Sequence, residues 1–111
     1  MSERARRIGE NEAIFRQVNE HVESLNRRLA DVGAAELDIV CECGDITCID
    51  RLLVPISSYE EIRSDSALFF VKRGHDLADV EDVVEHTDAY DVVRKHPGEA
   101  QRVAEETDPR A

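Results

Sequence analysis

The sequence predicts an α+β fold in which a long N-terminal helix packs on a small, mostly antiparallel sheet carrying a knuckle. Three observations predict it. Apolar side chains recur at helical spacing from residue 2 to about 31. After Gly33 the pattern changes to short alternating or β-branched runs. Between the first two of those runs, three cysteines crowd into eight residues. The chain's 111 residues suit one domain. It is read over 1–111 as a long helix at 1–32, a knuckle and sheet region at 36–96, and a C-terminal helix and tail at 98–111.

The helix rests on Ile8, Phe15, Val18, Val22, Leu25 and Leu29, which share a stripe with Asn11. From Phe15 onward the spacing alternates 3, 4, 3, 4, a heptad pattern held for about two heptads. Gly33 is placed to stop the helix. At 1.5 Å per residue it reaches roughly 40 to 45 Å, so its stripe needs a sheet, or a second helix in a homodimer, to cover it. Leu37, Ile39 and Cys41 then alternate with polar neighbours as a half-buried strand. Residues 49–54 predict a second strand ended by Pro55, and Ser57 with Glu60 a capping box opening a short helix. Residues 67–72 predict a third strand. Residues 80–95 admit a helix or a hairpin, and the Val and Tyr content favours the hairpin, turning at Thr87-Asp88-Ala89. Pro97-Gly98 breaks the chain before a last short helix at 99–106.

Charge narrows the function classes. Fourteen Lys and Arg face 25 Asp and Glu, for a formal net charge of −11. Residues 1–33 hold six of each sign, so the excess lies wholly in residues 34–111. Such a surface repels a phosphate backbone and argues against nucleic-acid binding. It serves solubility or a basic partner protein. No apolar run approaches the roughly 18 residues of a membrane span, and no apolar stretch follows Arg4, Arg6 and Arg7 to make a secretory signal. The expectation is a cytoplasmic protein with no membrane role.

The chemistry lies in Cys41-Glu42-Cys43-Gly44-Asp45-Ile46-Thr47-Cys48. Gly44 is expected to supply a positive φ, and Asp45 and Thr47 to bond back to the turn. Three thiolates turned inward are three corners of a tetrahedral zinc site. The fourth donor is His21, His75, His86, His96 or a carboxylate. His75 is preferred, because Gly74 lets the backbone turn its imidazole inward, with Asp76 or a nearby carbonyl holding the other ring nitrogen. His21 sits among Glu20 and Glu23 on a solvated face, and His86 and His96 read as surface histidines. Buried thiols are the plain alternative. A disulfide disagrees with a cytoplasmic location and with the spacing of Cys41 and Cys43. An iron–sulfur cluster is the rival metal reading, but the Cys-Asp-Gly-x-His run that accompanies Cys-x-Cys in Cys3His clusters is absent. The metal ligands are therefore expected to be Cys41, Cys43, Cys48 and His75, around zinc.

The chain resembles a family of short, functionally uncharacterised bacterial proteins. The likeness is carried by residues 6–12 and 15–20 on the long helix, Val40 to Asp45 with Cys48, Tyr59-Glu60, Gly74-His75, and the end around Gly98-Glu99-Ala100 and residues 104–110. Family members often carry Pro where this chain has Arg73. The resemblance implies a standalone cytoplasmic protein and the same ligand set, and it implies no activity.

No glycine loop for phosphates, nucleophile–base pair or catalytic carboxylate pair emerges. Ser57-Ser58 reads as a helix cap, and Glu60-Glu61 and Glu105-Glu106 as solvated faces. A closed Cys3His site leaves no room for substrate, so the expected protein is not an enzyme. It is a structural-zinc module for protein interaction or regulation, its long helix offering a surface to another protein or to a second copy. The alternatives are a thiol redox sensor and a small metalloenzyme with an open coordination position.

Overall fold

The computed structural model describes residues 3–28 and 36–110. The elements run α1 (Glu3–Arg28), β1 (Glu36–Val40), β2 (Arg51–Pro55), α2 (Ile56–Arg63), β3 (Leu68–Val71), β4 (Glu81–His86), β5 (Asp91–Lys95) and α3 (Glu99–Glu106). This is the α+β arrangement the sequence predicts, with every strand pair antiparallel. The single expected sheet is instead two, β1–β2 and β3–β5–β4. Glu42 joins them: its N–H donates to Phe70 O at 2.8 Å and its carboxylate accepts from Phe70 N at 2.9 Å. The 80–95 segment is the favoured hairpin, with an irregularity between Val83 and Glu85.

Strand alternation divides the interior into two clusters. Leu68 and Phe70 of β3 face Leu37, Ile39, Leu52, Val54 and Tyr59, and Tyr59 stacks on Phe70 with ring centroids 5.7 Å apart. Phe69 and Val71 face the other way, onto Cys41, Cys43, Val93 and Ala104. The cysteines thus line a wall of the second cluster.

The long helix differs from its expected packing. Ile8 is buried, Phe15 and Val22 are half-buried, but Val18 and Leu25 are 44% and 45% exposed. Leu29 and the stop at Gly33 lie outside the described residues. The face turned inward carries Glu12, Arg16, Asn19 and Glu23, spaced 4, 3 and 4, a polar stripe with the same helical period. The reason is that the strand ends and loops beneath offer backbone groups needing partners. Asn19 spans Val40, accepting from its N–H and donating to its C=O at 2.8 Å each, as a neighbouring strand would. Arg16 donates to the carbonyls of Ser66 and Ala104 at 2.7 Å and lies over the Phe69 ring. Glu12 meets Lys95, which also holds Glu81 at 2.7 Å. Gly9 lets α1 touch α3, since a Cβ there would sit 2.7 Å from Val103.

The expected capping box does not form. Pro55, with φ −57°, opens α2 at Ile56 without a side-chain cap, so Ser57 already lies in the first turn. Glu60 is turned instead to Arg110, 2.9 Å away. Among the described residues no helix is long and apolar enough to cross a membrane.

Candidate metal centre

Cys41 and Cys43 follow β1 on one continuing extended segment, so alternation sends both thiols to one side and Glu42 to the other. Cys41 N–H donates to Asp50 O at 2.9 Å, which ties the segment to the approach of β2. The chain then reverses. Cys48 N–H donates to Asp45 O at 3.0 Å, and the Asp45 carboxylate accepts from Thr47 N at 2.9 Å and Thr47 Oγ1 at 2.6 Å. This is the expected back-bonded turn, and it returns Cys48 toward Cys41 and Cys43. Gly44 does not contribute a positive φ. Among the described residues only Gly74 (84°) and Gly98 (104°) have one. Gly44 is needed because Ile8 of α1 presses on it, and a Cβ would meet Ile8 Cγ2 at 2.6 Å.

His75 arrives from the loop after β3. His75 N–H donates to Lys72 O at 2.9 Å in a turn that uses the left-handed Gly74, which is the role expected of that glycine. Its Nδ1 lies 3.6 Å from Cys41 Sγ and 3.7 Å from Cys48 Sγ. The ligand atoms of Cys41, Cys43, Cys48 and His75 all lie within 4.8 Å of one another, and the three cysteines are free. The other histidines stand elsewhere. His21 is exposed on α1, His86 pairs with Asp91, and His96 faces Asp82 at 3.2 Å.

The four donors cluster compatibly with metal binding. With metal–sulfur and metal–nitrogen bonds of about 2.3 and 2.0 Å, a tetrahedron has S···N edges of roughly 3.5 Å. The Cys41–His75 and Cys48–His75 separations lie close to that edge. The sulfurs are also prepared to carry charge. The backbone N–H two residues on, from Cys43, Asp45 and Asp50, lies against the sulfur of Cys41, Cys43 and Cys48 respectively, and each favours the thiolate. Lys72 N–H adds a bond to Cys41 Sγ at 3.2 Å. Hydrogen bonding from Cys41, against the cost of burial, pulls Cys43 down to about 5. The same bond, reinforced by burial, pushes Cys41 up, and burial pushes Cys48 up. A bound cation would favour the thiolate form of all three.

The group facing the other ring nitrogen is the Asp50 carboxylate, in place of the expected Asp76 or nearby carbonyl. Asp50 Oδ2 faces His75 Nε2 at 3.7 Å and Cys48 Sγ at 3.6 Å, while Lys72 Nζ holds its other oxygen at 3.3 Å. Asp76 lines an adjoining cleft. Asp50 lies two residues beyond Cys48, a spacing whose meaning depends on the loop closing as it does. Glu42, on the opposite face of the segment from the thiols, is fully buried. It accepts from Arg63 at 2.7 Å and from Asn19 at 2.7 Å, and so anchors the cysteine segment from its opposite face.

No protein-family model, curated protein or solved structure matches the chain. The reading of the centre therefore stands on its geometry.

Proposed function

We propose that this is a small cytoplasmic protein in which Cys41, Cys43, Cys48 and His75 hold one structural zinc ion, and that it serves as a non-enzymatic interaction or regulatory module. The observation that carries this reading is the gathering of four donors within 4.8 Å, with two S···N separations, 3.6 and 3.7 Å, close to those of a tetrahedral site. Three sulfurs favour a soft or borderline ion such as zinc over magnesium or calcium. The ion would supply a cross-link between the segment after β1, the 45–48 turn and the loop after β3. That link suits a chain whose second cluster is small and whose inward helix face is polar. The outward face of α1, where Ile14, Val18 and Leu25 stand exposed, supports a role in binding another protein or in a homodimer.

Metal analysis of the purified protein tests the reading. The expected result is about one zinc per chain in a colourless sample, with His75→Ala losing metal and lowering Tm. A natively folded protein that contains no metal overturns the proposal. A coloured iron-bearing sample replaces zinc with a cluster, and an unchanged His75→Ala removes the fourth ligand.

A further inference from the structure

A cleft of about 440 Å³ opens between the first turns of α1 and the two loops that carry the metal ligands. That size lies in the range of sites for small organic molecules. Its walls carry opposite charges. Arg4 and Arg7 stand on the helix side, and Asp45 and Asp76 on the loop side, with Ile8 and Leu77 forming apolar lining. Arg4 is engaged by Asp79. Arg7 and Asp76 make no ion pair with any described residue, although both border the same cavity. In a chain with 25 carboxylates, Arg7 lines this cleft from the helix side without one, and Asp76 lines it from the loop side without a cation. A ligand completing both pairs must itself carry both signs.

We propose that this cleft binds a small zwitterion of the α-amino-acid or dipeptide class with an apolar side chain. Its carboxylate is received by Arg7, its ammonium by Asp76, and its side chain lies against Ile8 and Leu77. The planar guanidinium gives a carboxylate two parallel N–H donors. The inference goes beyond the metal reading, although the loop wall is the one that bears Cys43 and His75.

The test is titration of the metal-loaded, full-length protein with L-leucine and with L-alanyl-L-leucine, followed by amide chemical shifts. The expected result is saturable movement at residues 4–11 and 74–77 for at least one of the two. The analogues 3-methylbutylamine and 4-methylpentanoate, each lacking one charge, bind about tenfold or more weakly. Arg7→Gln, an exposed change, weakens the zwitterion by a similar factor while leaving metal content and Tm as they were. Asp76→Asn does the same and serves as the second arm. The proposal is overturned if neither zwitterion shifts those amides at millimolar concentration, if a singly charged analogue binds equally well, or if Arg7→Gln binds as tightly as the parent. Unchanged metal content in Arg7→Gln keeps failure here distinct from failure of the zinc reading.

Discussion

Glu12 is a carboxyl group set in the interior beside Lys95 and a second carboxylate, Glu81. Burial raises its pKa well above the ordinary value of 4.5, and the attraction of Lys95 does not compensate because Glu81 competes for the same ammonium. An acid whose folded pKa is raised binds its proton more tightly in the native state. Its contribution to stability is therefore complete below pH 4.5 and is lost as pH rises toward the elevated value. Glu12→Gln mimics the protonated acid and carries no such dependence. Urea denaturation of both proteins between about pH 4.5 and 8 is expected to show the Gln variant gaining on the parent with rising pH. A difference that stays flat across that range means that Glu12 is ionised and matched by Lys95. Sequence patterning gave no sign of this site, because a Glu on a helix is ordinarily solvated. Gly44 was legible in part: its need for glycine follows from sequence, but the cause is the close approach of Ile8 and not a left-handed backbone.

At the scale of the element, α1 shows what periodicity reveals and what it hides. Its existence, its extent to at least Arg28 and the burial of Ile8 follow from the apolar spacing. Which face turns inward does not, because two stripes of the same period run along one helix, and the polar one has the complementary backbone groups beneath it. The hairpin of β4 and β5 was legible for a local reason, since Val83, Tyr90, Val92 and Val93 flank a turn in which Thr87 Oγ1 accepts from Tyr90 N at 2.9 Å. The two faces of α1 differ in what they sustain. Asn19→Ala strips the partner from Val40 N–H, Val40 C=O and Glu42 together, and is expected to cost about 2 to 4 kcal/mol in chemical denaturation. Val18→Ser, on the exposed stripe, is expected to change stability by less than about 0.5 kcal/mol. Light scattering across a concentration series then separates the roles: a homodimer through this face weakens in Val18→Ser, and a monomer at every concentration removes self-association.

Across the whole molecule, the two interior clusters have different sources of cohesion. The first unites β1, β2, α2 and one face of β3 through large apolar side chains, with the Arg63–Glu42 pair sealed beneath them. The second is smaller and includes Cys41 and Cys43 among its buried members, so part of its wall is the candidate metal centre. Its remaining ties to the first pass through β3 and β5, each of which serves both, and through Glu42. Local stability in such a molecule need not be uniform. Removing the proposed ion would release the link between the 45–48 turn and the His75 loop, while the Tyr59–Phe70 stack and the β1–β2 ladder keep every contact they had. Hydrogen exchange before and after treatment with a chelator is therefore expected to show faster exchange across residues 41–50 and 72–80. Leu37, Ile39, Leu52 and Val54 retain most of their protection. Equal loss in both regions would mean that the ion supports a single cooperative unit, and no change in either would mean that the loops hold their places without it.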